Sequence, residues 1–154
     1  MSEQIRKRSP WRKRILISGL VLLVAGVVAI YLIFTQKFSD TSATKADFTV
    51  NAMDFLNEFQ KNDSLANVKY AEKIIIVNGR ITETEAADTT INIKMTDTTT
   101  AAYIIFAFQQ QHLAEAKQLK VGDSVSIKGS CSGGIHSDIL ETEFVTFKRC
   151  AINK

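Results

Sequence analysis

The stretch ILISGLVLLVAGVVAIYLIF, Ile15 to Phe34, carries no charge, no proline and no Asn or Gln. As a helix rising 1.5 Å per residue it would reach about 30 Å, the thickness of a bilayer's hydrocarbon core. An apolar run of this length flanked by charges reads as a membrane span rather than a buried core helix. A cleavable signal peptide is the nearer competitor, but its apolar region is usually about 7–15 residues and ends at a small-x-small site. Here the run is longer and closes on the bulky Tyr31-Leu32-Ile33-Phe34, and no cysteine follows it to carry a lipid. The segment therefore reads as an uncleaved signal anchor.

Charge sets the expected orientation. Arg6, Lys7, Arg8, Arg12, Lys13 and Arg14 precede the span, opposed only by Glu3. Lys and Arg beside a span stay on the cytoplasmic side, so the N-terminus is expected inside and the rest outside, with Trp11 and Tyr31 near the two interfaces. Beyond the span stand the other 13 of the 19 basic residues and 15 of the 16 acidic ones, a net charge of −2. The basic pI therefore belongs to the tail, and the remainder lacks the basic footprint of a nucleic-acid binder. The expected division is a basic cytoplasmic tail over 1–14, a transmembrane anchor over 15–34, a polar linker over 35–47 and a periplasmic domain over 48–154 of a single-pass protein in a bacterial inner membrane.

Within that domain the apolar period changes along the chain. Ala52, Phe55, Leu56 and Phe59 recur at i, i+3, i+4 and i+7, which predicts a helix over 50–63 capped by Thr49 or Asn51. Asp63-Ser64 ends it and caps a short further turn. The period then falls to two. Ile75, Val77, Gly79 and Ile81 form one strand, Gly79 marking a bend or a close backbone approach. Ile91, Ile93 and Met95 form a second, and AAYIIFAF over 101–108 a third. A polar helical piece over 109–119 presents Leu113, Ala116 and Leu119 on one side. Val125, Ile127 and Gly129 face inward from a fourth strand, and FVTFKRCAI over 144–152 is the fifth. The predicted fold class is mainly β with helices: an N-terminal transmembrane helix, then a five-stranded OB-fold barrel with a leading helix and a helix between strands three and four.

The domain also resembles a known group, the tRNA-anti-like OB-fold family of small bacterial envelope proteins. The resemblance runs from about Val50 onward. It rests on Phe55-Leu56 with Phe59, on Tyr70 before the first strand, and on Gly79 within it. Val121 to Gly129 read Val-Gly-Asp-x-Val-x-Ile-x-Gly, followed by Cys131-x-Gly133 and a late Cys150-x-Ile152. It implies an OB fold and an envelope compartment, and no activity. The family's name does not imply a tRNA function here, because the basic residues such a function needs are missing.

Candidate chemistry is sparse. Cys131 and Cys150 are an even pair in an exported domain and suggest a disulfide, worth on the order of 3 kcal/mol, with Gly133-Gly134 giving the chain room to turn. The alternative is two separate buried thiols. A redox site would need Cys-x-x-Cys. His112 and His136 lack metal-ligand spacing and read as a solvated helix residue and a turn residue, so no metal or cofactor is expected. His136-Ser137-Asp138 are adjacent and point apart, and no nucleophile elbow exists, so the protein is not expected to be an enzyme and no small-molecule substrate is evident. Glu83, Glu85 and Asp88 read as a solvated acidic loop.

A binding role remains. OB domains generally use the face of strands two and three. Here that face offers Thr90, Asn92, Lys94 and Thr96 on the polar parity of the second strand. If Ile104, Phe106 and Phe108 turn inward, Tyr103, Ile105 and Ala107 turn outward, either packed under a helix or forming an apolar contact strip. The reading is a membrane-anchored module for protein interaction or envelope assembly, its partner unidentified. The alternative is an OB domain that binds an oligosaccharide or, against its charge, single-stranded nucleic acid.

Overall fold

A computed structural model of the chain describes residues 10–35, 40–87 and 89–154. Most of the basic tail, residues 36–39 of the expected linker and Asp88 of the acidic patch lie outside the described residues. Two units emerge, Met1–Phe38 and Ser39–Lys154.

The described part of the first unit is one helix, α1 (Pro10–Thr35). Proline suits its first turn, where the missing N–H would have no helical partner. Within it Arg14–Phe34, 21 residues of mean hydropathy 2.8, is long and apolar enough to cross a membrane. Its large apolar side chains are exposed on every side, so no polar face marks it as the surface helix of a soluble fold.

The second unit opens with β1 (Phe48–Asn51), α2 (Ala52–Lys61) and α3 (Asp63–Tyr70). Asn51 caps α2 by accepting from Met53 N, while Thr49, the other candidate, lies in β1. Asn62, rather than Asp63 or Ser64, caps α3 by accepting from Leu65 N. Six strands follow in all: β2 (Ile74–Arg80), β3 (Glu83–Ala86), β4 (Ile91–Thr96), β5 (Tyr103–Phe108), β6 (Ser124–Ser137) and β7 (Thr142–Ile152). A 3₁₀ turn and the four-residue α4 (Leu113–Ala116) stand between β5 and β6, where a helix is predicted.

The strands form one sheet in the order β1-β2-β6-β7-β5-β4-β3. The predicted five-stranded closed barrel needs correction: the sheet has seven strands and is open. Two local events account for the difference. Phe48–Asn51 adds an edge strand parallel to β2. The first predicted strand ends at Arg80, and residues 83–86, within the expected acidic loop, form β3, far from β2 in the order. At the break, Ile81 N donates to Asp123 O (2.9 Å) and Ile81 O accepts from Gly122 N (2.8 Å), just ahead of β6. One residue later, Thr82 N donates to Lys94 O (2.9 Å) in β4.

The inner face of the sheet closes on α2. Phe55, Phe59, Tyr70, Phe106 and Phe147 are fully buried beside Ile75, Val77, Ile93, Met95, Ile104 and Ile127. The Phe55 ring lies 5.6 Å from Phe147, and Phe147 lies 5.2 Å from Phe106. Burying each such ring contributes roughly 1.5–3 kcal/mol. Gly79 marks a close approach, since a Cβ there would stand 2.8 Å from the Ala52 side chain.

Residues 40–47 run along this unit as a strap. Lys128 Nζ donates to the carbonyls of Ser42 (3.0 Å) and Thr44 (2.8 Å). Thr41 N donates to the Gln109 side chain, and Asp47 N donates to Ile74 O. His112, rather than being a solvated helix residue, is partly buried with Nε2 at 2.9 Å from Asp40 Oδ1. That hydrogen bond is the main reason the Asp40 carboxyl drops to about 2.

The expected Cys131–Cys150 disulfide is not formed: both cysteines are buried free thiols. Strand register explains this. Cys131 faces Phe147, Ser130 faces Lys148 and Lys128 faces Ala151. Arg149 and Cys150 together therefore oppose Gly129, a bulge whose extra residue, Arg149, takes a left-handed φ of 54°. The Cys150 sulfur lies over Gly129, where a Cβ would come within 2.7 Å of it. Desolvation pushes the Cys131 thiol up to about 11 and raises Cys150 well above the ordinary thiol range. The two pack as small apolar groups. Gly134 makes room for α2 rather than for a bridge, since a Cβ there would collide with the Phe59 ring.

Candidate binding face

Alternation along β4, β5 and β7 sends one set of side chains into the core and the other to the outer face. Register lines the outer set up in rows. Tyr103 stands between Thr96 on β4 and Phe144 on β7, and Ile135 on β6 lies beyond Phe144. In the next row Ile105 stands between Lys94 and Thr146. The candidate residues Lys94, Thr96, Tyr103 and Ile105 thus share one surface, with Asn92 opposite Ala107 at its margin. Thr90 is exposed just ahead of β4. Tyr103 and Ile105 are partly buried, neither packed into the core nor fully open.

The centre of this face is aromatic. The Tyr103 and Phe144 rings stack with centroids 5.6 Å apart and planes 11° from parallel. The Lys94 ammonium lies over Tyr103, 5.9 Å from its centroid. Because β5 runs between β7 and β4, Phe144 and Lys94 approach Tyr103 from opposite sides.

Lys94 is the cation beside Tyr103, and two carboxylates hold it: Glu85 Oε1 at 2.6 Å and Glu83 Oε2 at 3.2 Å. Its hydrogen bond to Glu85 is the main cause of the rise in the Lys94 pKa, and the same bond lowers that of Glu85. Glu83 and Glu85 are therefore not a solvated loop but the strand β3, paired with Lys94 and Asn92. The Thr96 hydroxyl is also engaged, 3.0 Å from the Thr82 hydroxyl, which donates to it. Chemically the face offers aromatic edges and aliphatic surface around a neutralised ammonium.

Sequence reasoning found Tyr103 and Ile105 but missed Phe144, Ile135 and the two glutamates. The alternation Phe144-Val145-Thr146-Phe147 does put Phe144 opposite in parity to the core residues. The missing information was that β7 lies beside β5, in parallel. His136 and Glu143 lie apart from this face, with His136 Nδ1 3.3 Å from Glu143 Oε2. Among the described residues no three His, Cys, Asp or Glu side chains group to hold a metal ion.

The fold and this face define an OB-like β-domain preceded by an apolar helix of membrane-spanning length. The tRNA_anti-like family model matches residues 8–142, and the chain belongs to that family. Among solved structures it is similar to a candidate nucleic acid-binding lipoprotein from Klebsiella pneumoniae subsp. pneumoniae MGH 78578. The TM-score is 0.55 at 20% identity, over 77% of this chain and 100% of that one. A candidate aspartyl-tRNA synthetase from Leishmania major Friedlin aligns at TM-score 0.44 and 7% identity, over 77% of this chain and 22% of that one. No curated protein matches the chain.

Proposed function

We propose that the protein is a binding module of the bacterial inner membrane that acts through contact with another protein rather than through catalysis. In this reading α1 is a single-pass anchor with a cytoplasmic N-terminus, and the unit from Ser39 onward lies in the periplasm. The basic residues before Ile15 support the orientation. The observation that carries the binding reading is the Tyr103–Phe144 stack. A platform for nucleic-acid bases needs free ring faces beside cations. Here Tyr103 has a ring on one side and an ammonium on the other, and that ammonium is matched by two carboxylates. Such a surface suits an apolar protein contact, in which aromatic anchors supply most of the affinity. Binding of single-stranded nucleic acid is the second reading, favoured by the description of the Klebsiella structure.

A photo-reactive residue at Ile105 of the full chain, in native membranes, tests the first reading. A defined protein adduct is expected, reduced by Tyr103→Ala. Absence of any protein adduct, together with saturable binding of a single-stranded oligonucleotide that Tyr103→Ala abolishes, overturns it in favour of the second. An alkaline phosphatase fusion at Lys154 tests topology, and an inactive fusion reverses the placement.

A further inference from the structure

We infer that the cavity beside the strap binds a small oxyanion, a carboxylate or a phosphate, through Lys128. This side chain is only 9% exposed, although it lies on the parity of β6 opposite to Ile127. The strap buries it. Two of its three ammonium hydrogens go to the carbonyls of Ser42 and Thr44. Both acceptors are neutral, and no carboxylate pairs with Lys128 among the described residues. A buried ammonium satisfied by dipoles alone retains a costly uncompensated charge.

Next to it is a cavity of about 260 Å³ lined by Ser42, His112, Glu115, Ile152, Asn153 and Lys154. The nearby carboxylates already have partners. Glu115 Oε1 lies 2.8 Å from Lys154 Nζ, and Asp40 is held by His112. The lining carries the ammonium groups of Lys128 and Lys154 and the carboxylate of Glu115. An oxyanion entering here takes the third Lys128 hydrogen in a charge-assisted bond and supplies the missing counter-charge. A neutral ligand leaves the charge uncompensated, and a cation adds to it. The volume suits a ligand of a few heavy atoms or the tip of a larger one. The cavity is separate from the Tyr103 face, so this inference stands or falls independently of the binding reading.

The full chain in a phosphate-free detergent is titrated with inorganic phosphate in one arm and acetate in another. Sodium chloride at matched ionic strength serves as control. Amide resonances of Ser42, Lys128 and Asn153 are expected to shift saturably in one arm or both, identifying the anion. A third arm places the full chain in phospholipid nanodiscs without added phosphate. The same shifts there, absent in a detergent without phosphate, assign a lipid headgroup as the source. Lys128→Met abolishes the response but also removes the strap bonds, so Lys154→Glu decides. Its side chain is 77% exposed, the fold is expected to be unaffected, and reversing its charge should weaken binding roughly tenfold. No saturable shift in any arm, or saturation undiminished in Lys154→Glu, overturns the inference.

Discussion

Tyr103 and Phe144 occupy paired positions on the parallel strands β5 and β7, and their rings stack 11° from parallel at 5.6 Å. Both are partly exposed, whereas Phe106 and Phe147, further along the same two strands, are fully buried and also in ring contact. One strand pair thus carries an inner aromatic contact that belongs to the core and an outer one available to a partner.

The two contacts should separate in thermal melts. Phe106→Ala is expected to cost about 3–5 kcal/mol, as truncation of a buried ring does. Tyr103→Ala and Ile105→Ser should cost about 1 kcal/mol or less, or a few degrees in a domain of this size. A Tyr103→Ala melt that falls as far as that of Phe106→Ala would place the outer pair in the core.

Partner binding through this face should respond weakly to salt. With Lys94 matched by Glu83 and Glu85, few counterions are released on association. Adduct yield from Ile105 in membranes is expected to change less than about twofold between low and physiological salt, whereas each phosphate neutralised would add a log-log slope of about −0.7 to −0.9. A steep decline would restore the nucleic-acid reading.

Asp40 makes acid stability informative. Its carboxyl is lowered to about 2, chiefly by the hydrogen bond from His112. A carboxyl depressed in the folded state stabilises above its unfolded value near 3.8, and the contribution is lost as pH falls through the folded value. The wild-type protein should melt above Asp40→Asn at pH 5, and the two curves should converge near pH 2. A gap that persists at pH 2 would mean the Asp40 charge is not its source.

Helix α3 is tied to β6 by Asn67, whose side chain donates to Gly134 O (3.0 Å) and accepts from Gly134 N (2.8 Å). Asn67→Ala is expected to lose about 1–3 kcal/mol. Gly134→Ala should lose a similar amount by driving a methyl group into the Phe59 ring. Denaturant midpoints unchanged in both variants would show that the contact contributes nothing.

The thiols should behave as buried, unlinked groups. Under native conditions without reductant, Cys131 and Cys150 are expected to alkylate slowly, and both should react once denaturant is added. Linked peptides in non-reducing mass spectrometry of freshly isolated protein would contradict the register around Gly129.

Local pattern carried much of this architecture. The i, i+3, i+4, i+7 spacing located α2 and its buried side, and strict alternation assigned the inner and outer residues of β4 and β5. What depended on distant segments was not legible. No residue in 101–108 signals that 144–152 lies beside it in parallel. No residue type marks Arg149 as the extra member of a bulge, and none signals that Cys131 pairs with Phe147, three residues short of Cys150. Nothing in the local sequence marks Lys128 as buried, because its burial comes from residues 42–44, far off in sequence. The break between β2 and β3 at Ile81-Thr82 likewise follows from partners on both β4 and the approach to β6.

The sulfur over Gly129 gives the late cysteine a different meaning from the one its spacing suggests. It fills the space that a side chain at 129 would otherwise occupy, so the two positions share a single volume across the strand pair. Neither can enlarge alone. A relative with alanine or serine at the first position needs something smaller than cysteine at the second, and a relative with valine at the second has nowhere to put it. The two should therefore vary as a couple, with their summed size held constant, and the cysteine records the dimensions of a gap rather than the redox state of a compartment.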